Sequence, residues 1–314
     1  MAGSRFVSPL ERILFLRSLP WFDTLSMRDL ALFARYASER SFPRGSLLIR
    51  DDEPVTSGHI VVEGRVRLTR EGQLRPEPRV PGGVGFLDLL AGYDGGSKAE
   101  ALEECVTLEI PAEALYSMME NNFAMVQGMF LNLAGFLLEA RGNLPIRPEG
   151  APAPQMGEDP GRALGLVDRL DLMTRGGPFP NVNLDALLPL ARRLREVRHP
   201  PGTRLWARGE ASTWVVNLLY GKVRCGTGEA DATVEVGAGY GLGFMDALAG
   251  RKRAYWAETV TDVVSLAYDL TTLLHLSETY FDLTRSLLAS IARALVEEEL
   301  AQVGRGPASG SSWS

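Results

Sequence analysis

Cysteine and histidine are scarce in this chain, with two and three among 314 residues. Cys105 and Cys225 stand in separate apolar stretches without C-x-x-C spacing, which argues against a disulfide framework and a zinc site. His59, His199 and His275 are scattered, so no metal ligands are expected. Positive charge is not in surplus either: 33 Lys and Arg against 39 Asp and Glu leave a net charge of −6. A surface built mainly to hold a nucleic acid backbone needs a concentrated positive field, so DNA is not expected as a partner. The first residues, MAGSRFVSPLER, lack an apolar core of signal-peptide length, and the expected location is the cytoplasm. A single long apolar run exists, at 123–140. Gln127, Gly128, Asn132 and Gly135 interrupt it and no basic flank marks an inner side, which predicts a buried or interfacial helix and no membrane partner. No nucleophile–base pair or carboxylate pair stands out. Catalytic residues are therefore expected to be absent and the protein is read as a non-enzyme.

What the chain does have is a repeat. Residues 42–68, FPRGSLLIRDDEPVTSGHIVVEGRVRL, answer 199–225, HPPGTRLWARGEASTWVVNLLYGKVRC. Gly45 pairs with Gly202 and Gly64 with Gly221, both 157 residues on. One residue of slippage later, GFLDLLAG at 85–92 answers GFMDALAG at 243–250, and upstream Phe22, Leu30 and Arg35 answer Phe179, Leu187 and Arg192.

Each copy opens with helical periodicity, and Ser26 before Met27-Arg28-Asp29 reads as an N-cap. Short β-branched runs punctuated by glycine follow, and each copy ends in helices. The predicted class is α+β, two tandem β-roll domains of jelly-roll type, each flanked by N- and C-terminal helices. The expected boundaries are 1–141 for the first domain, 142–162 for a Pro/Gly-rich linker, 163–303 for the second domain and 304–314 for a disordered tail.

The phrase Pro-x-Gly-x-x-aliphatic, the acidic turn, the Glu/Tyr-Gly-Arg/Lys-Val-Arg strand and the Gly-x-x-x-x-Leu-x-Gly short helix together resemble the cyclic nucleotide-binding domain family. The tandem arrangement resembles that of the regulatory subunits of cAMP-dependent protein kinase. The resemblance implies a ligand such as cAMP or cGMP, held by a cassette made of the short helix and the loop after it. Unpaired amides at the helix start and a loop arginine would meet the phosphate, and a glutamate the ribose hydroxyl. The glutamate position falls on Phe86 and Phe244, which are read as core plugs. The arginine position falls on Gly95 in the first copy and Arg253 in the second.

The second copy thus supplies the candidate site: Gly243, Phe244, Met245, Asp246, Arg253, Ala254 and Trp256. Arg253 is read as a phosphate partner or as a solvated loop charge beside Arg251 and Lys252. Trp256 is read as a cover for a purine or as packing, with Tyr255 the weaker candidate. The first copy's equivalents, Gly85, Phe86, Asp88 and Lys98, are read as degenerate, with Lys98 the only cation on that loop. Asp88 and Asp246 are either replacement acceptors for a ribose hydroxyl or first-turn acids that complement the helix dipole; the second is favoured. In the last helix Leu287, Leu288, Ile291 and Leu295 form a stripe that either packs on its own domain or joins two copies of the chain. Few residues follow Val303, too few for a DNA-reading module, and no kinase-inhibitor segment stands at the N-terminus.

The expected function is that of a regulatory protein. It senses a cyclic nucleotide or related anion mainly through the second domain and signals by movement of its C-terminal helices. The alternative is a ligand-free scaffold for an unknown protein partner or for self-association.

Overall fold

The computed structural model describes residues 8–19, 22, 25–142, 162–175, 179, 182–228 and 233–304. Of the linker expected at 142–162 only Gly142 and Arg162 are among them, and of the tail at 304–314 only Gly304.

The first repeat begins with α1 (Pro9–Arg17) and α2 (Met27–Tyr36). Ser8 and Glu11 form a reciprocal capping box on α1, and the Ser26 hydroxyl accepts from the Asp29 amide on α2, as the sequence predicts. Eight strands follow: β1 (Ser38–Phe42), β2 (Leu47–Ile49), β3 (Ser57–Glu63), β4 (Val66–Arg70), β5 (Gln73–Leu74), β6 (Gly82–Val84), β7 (Ser97–Ala101) and β8 (Cys105–Pro111). The short α3 (Phe86–Ala91) lies between β6 and β7, and α4 (Ala112–Asn121) and α5 (Phe123–Arg141) close the repeat.

The second repeat has the same order. It runs α6 (Leu166–Arg175), α7 (Leu184–Arg193), β9 (Arg195–His199), β10 (Arg204–Trp206), β11 (Trp214–Tyr220), β12 (Val223–Gly226), β13 (Val234–Val236) and β14 (Gly241–Leu242). Then come α8 (Phe244–Leu248), β15 (Trp256–Thr259), β16 (Val263–Asp269), α9 (Leu270–Thr279) and α10 (Phe281–Gly304).

Each repeat folds into two four-stranded antiparallel sheets, ordered β1-β8-β3-β6 and β2-β7-β4-β5 in the first and β9-β16-β11-β14 and β10-β15-β12-β13 in the second. The pairing repeats down to its irregularities. A bulge between Val61 and Glu63 recurs between Leu218 and Tyr220, and another between Leu47 and Ile49 recurs between Arg204 and Trp206. Gly64 and Gly221 follow the first pair of bulges at φ 92° and 85°. A Cβ there would come within 2.5 Å of the Glu104 carbonyl oxygen and 2.0 Å of that of Asp262, so only glycine fits. The fold is α+β with two tandem β-rolls.

Inside the first roll Ile49, Val61, Val66, Val84, Ala99 and Cys105 form the core. The second roll puts Trp206, Leu218, Val223, Leu242 and Ala257 at the matching places and adds Tyr255. The step from Ile49 to Trp206 supplies a ring that the second cassette uses.

The chain divides into two compact units, Met1–Asn132 with Ile291–Ser314, and Leu133–Ser290. These are not the contiguous repeats 1–141 and 163–303, because residues 133–141 group with the second unit and 291–303 with the first. The physical basis is that α5 and α10 bury side chains along their whole length. In α5 Val126 and Phe130 of the first unit and Ala134, Leu137 and Leu138 of the second are all buried. In α10 Leu283, Leu287 and Leu288 of the second unit and Ile291, Ala292, Leu295 and Val296 of the first are all buried. The leucine stripe offered as a dimer contact is therefore covered within a single chain. By length and composition α5 matches a membrane span, but 44% of its most apolar window is buried inside the protein.

Candidate functional site

In the first unit α3 starts at Gly85, whose φ of 83° places it in the left-handed region. No side chain caps this end. Phe86 is only partly buried, and its ring presses on the backbone of β3: a Cβ on Gly58 would lie 2.4 Å from it. The first turn holds Asp88, 2% exposed. Arg75, just after β5, donates from Nη1 to both Asp88 oxygens at 2.9 and 3.2 Å, and the Ser97 hydroxyl donates to Oδ1. Arg70, at the end of β4, lies 3.7 Å from Asp88, donates to Ser97 Oγ at 3.1 Å and to the Gly95 carbonyl at 3.2 Å, and stacks 3.5 Å from the centre of the Tyr93 ring.

Within this same unit the end of α10 closes the arrangement. Glu299 accepts from Arg75 Nε at 2.8 Å and lies 2.7 Å from Nη2, while Arg293 donates to the Ala91 carbonyl at 2.7 Å. Burial works against the Arg75 charge, but Glu299 and Asp88 together outweigh it and hold its pKa above the ordinary value. Burial pushes the Glu299 carboxyl up, against the pull of Arg75.

The sequence picture of this cassette is refined in two places. Asp88 stands in the first turn, but it is buried, and two arginines and a serine enclose it. Lys98 is not its cation. The β7 alternation points Ser97, Ala99 and Ala101 inward and leaves Lys98 outside, 4.0 Å from Glu100. The cations come from the β4–β5 hairpin. Comparing the copies carries the signal: Thr227 stands where Arg70 would repeat, and Arg253 where Gly95 would. An arginine missing from the loop is supplied from the strand, and its guanidinium reaches the Gly95 carbonyl.

In the second unit α8 starts at Gly243, φ 78°, again without a side-chain cap. Arg253 is 3% exposed and is not a solvated charge. It donates from Nη1 to the Gly243 carbonyl at 2.9 Å and from Nη2 to the Trp214 carbonyl, and its guanidinium lies 4.2 Å from the centre of the Trp206 ring. A Cβ on Gly243 would fall 1.9 Å from Arg253 Nη1. The three basic residues of the loop separate: Arg251 pairs with Glu139 of the same unit, Lys252 is exposed, and Arg253 turns inward. Asp246, 1% exposed, takes the Ala254 amide, and burial raises its carboxyl pKa while Arg253 lowers it in part. It too is a first-turn acid that is buried. Phe244 and Met245 are half-buried.

Tyr255, just before β15, and Trp256, at its start, face opposite ways. Tyr255 points into the roll, where its hydroxyl accepts from the Gly243 amide at 2.9 Å. One residue later on the strand, Trp256 faces the other way, under Arg204 at 4.8 Å and against Gly226. It takes the packing role.

The two cassettes differ in how their buried polar atoms are satisfied. Trp206 Nε1, Ser212 Oγ, Asp246 Oδ1 and Arg253 Nε are all buried without a hydrogen-bond partner. Trp206 stacks with Arg253, Asp246 interacts with it, and Ser212 stands two residues before its acceptor Trp214. Among the described residues of the first cassette, Arg70, Arg75, Asp88 and Ser97 leave no such atom.

Two further groups are buried. His59 meets Thr107 Oγ1 at 3.2 Å through Nδ1 and Ser57 Oγ at 3.4 Å through Nε2, partners the sequence did not suggest, and burial lowers its pKa. Burial pushes the Cys225 thiol up to about 12, so it carries no thiolate near neutrality.

Residues 39–122 match the family model for the cyclic nucleotide-binding domain. No curated protein sequence matches the chain. Among solved structures it is similar to the regulatory subunit of a cAMP-independent protein kinase A from Trypanosoma cruzi bound to guanosine, at 14% identity and a TM-score of 0.36, covering 91% of this chain and 88% of that one. It is also similar to the regulatory domain of Toxoplasma gondii PKA with cAMP, at 15% identity and TM-score 0.35, covering 92% and 97%. The sensor domain of the transcriptional regulator DNR from Pseudomonas aeruginosa aligns at 16% identity and TM-score 0.38, covering 41% and 90%. At these values the likeness to solved structures carries no functional assignment.

Proposed function

With residues 39–122 belonging to the cyclic nucleotide-binding domain family, we propose that this protein is a cytoplasmic regulator whose second β-roll is the ligand-responsive half. That roll binds a cyclic nucleotide or related anion through Gly243–Ala254, with Arg253 as the phosphate partner, and passes the event on by movement of its C-terminal helices. The observation that carries this reading is the set of unpaired buried atoms around Arg253. A buried polar atom without a partner costs about 1–3 kcal/mol. A ligand with an anionic acceptor and a hydroxyl or amine donor serves Arg253 Nε and Asp246 Oδ1 together. Phe244 supplies no acceptor for a ribose hydroxyl, which leaves that role to Asp246.

A second reading, a scaffold for protein contact or self-association, is favoured for the first roll. There Arg75 is shared by Asp88 and Glu299, so the cassette is neutralised by its own chain.

Isothermal titration with cAMP, cGMP and cyclic dinucleotides tests the proposal. One of them is expected to give heat and raise the melting temperature. Arg253→Lys is expected to weaken that binding strongly, and Lys98→Ala to leave it unchanged. No heat with any of them and an unmoved melting temperature would leave only the scaffold. Equal effects of the two substitutions would take the ligand away from the second cassette.

A further inference from the structure

A groove of about 550 Å³ lies in the first unit, away from the cassette, between α2 and the junction of α4 with α5. Leu25 and Leu32 provide apolar walls, the buried Met118 and Met125 form its floor, and Arg28 and Arg35 also line it. Its acid, Asp29, is engaged by the Ser26 hydroxyl at the N-terminus of α2. Arg28 and Arg35 have no ion-pair partner among the described residues. Beside the groove α2 exposes more apolar surface than a solvated helix needs: Leu32 is 38% exposed, Tyr36 45% and Met27 46%.

The repeat shows that the fold does not require Arg28 or Leu32. At the same distance of 157 residues Arg28 is answered by Asp185 and Leu32 by Pro189, while Arg35 is kept as Arg192. The second copy reverses the charge at the first position and removes the leucine, yet builds the same helix at α7.

We propose that this groove docks a short amphipathic helix with an acidic flank, supplied by a partner protein. Charge complementarity selects the occupant. Arg28 and Arg35 are seven residues apart, roughly 10 Å along α2 on one face. A helix lying along α2 meets both with acids two turns apart, while its leucines enter between Leu32 and the two methionines.

The test uses the full chain and a fluorescein-labelled helical peptide with leucines at alternating three- and four-residue spacing and glutamates flanking them. A sibling peptide carries lysine at every glutamate. Saturable anisotropy is expected with the acidic peptide and not with its sibling. Arg28→Glu with Arg35→Glu is expected to weaken binding by about tenfold or more, and Leu32→Glu likewise. These positions line an open groove, and melting temperature checks the fold of each variant. Competition by the unlabelled siblings on the unaltered chain gives the same discrimination without any substitution. Failure of the acidic peptide to saturate, equal binding of the two peptides, or variants that bind like the original chain would overturn the proposal. So would a dimer in sedimentation that Leu32→Glu dissolves, which would give the groove to a second copy, or binding only to anionic vesicles.

Discussion

Arg75 and Asp88, thirteen residues apart in the chain, form a buried ion pair at 2.9 Å across the first cassette. The pair places a strand-derived arginine against a carboxylate in the first turn of α3. It thereby uses the charges an incoming anion would need.

Removing Arg75 takes the nearest cation from Asp88 and Glu299 at once, leaving Asp88 with Ser97 and, at 3.7 Å, Arg70. Arg75→Met is expected to cost about 3 kcal/mol. Arg75→Met together with Asp88→Leu is expected to recover most of that loss. Urea unfolding of the two variants measures both numbers, and a double variant no more stable than the single one would mean that the pair is not the coupled unit described.

His59 makes the fold acid-sensitive. Burial holds its pKa below the ordinary value of about 6.5. Between the folded and ordinary values the unfolded chain binds a proton that the folded chain refuses, so stability falls as pH drops below about 6.5 and is fully present above it. A His59→Gln variant is expected to lose less melting temperature than the original chain between about pH 7 and pH 5. Parallel melting curves for the two proteins across that range would contradict the assignment.

Gly58 and Phe86 are coupled through space. Gly58→Ala puts a methyl group 2.4 Å from the Phe86 ring and forces the ring or the strand to move. The expected loss is about 1–3 kcal/mol, as for overpacking elsewhere. Adding Phe86→Ala makes room for the methyl, so the two losses should fall short of additive in a double-mutant cycle. Strict additivity would show that the ring moves away without cost.

Gly243 holds a left-handed conformation and the space beside Arg253 Nη1. Gly243→Ala is expected to destabilise by more than about 1 kcal/mol through backbone strain alone. It should also push the guanidinium off the Gly243 carbonyl, so any nucleotide affinity found for the chain should fall with it. Tryptophan fluorescence, through the ring of Trp206 under Arg253, follows the displacement. Unchanged emission and unchanged stability would refute this geometry.

Much of the fold is legible because it is written twice. The glycines at 64 and 221 mark turns that no other residue fits, and the short-helix phrase recurs with its aspartate. The site was harder to read. Sequence alignment locates Arg253 and Asp246 but not their burial, since a loop of Arg-Lys-Arg looks solvated until the chain turns one side chain inward. Arg70 and Arg75 belong to a hairpin that precedes the short helix and its loop, so the cassette phrase itself does not contain them. Glu299 carries no local signal at all: it reaches Arg75 only through the course of α10.

The sequence by itself determined two tandem β-rolls flanked by helices, the Ser26 cap and the phenylalanines that recur at 86 and 244. These depend on local preferences and on a repeat, which are visible along one dimension. Only the tertiary structure decided which charges meet: Arg75 with Asp88 and Glu299 in one unit, Arg253 with backbone carbonyls and Trp206 in the other. Burial strengthens such contacts and makes their absence costly, and burial is a property of the packed chain rather than of any stretch of it.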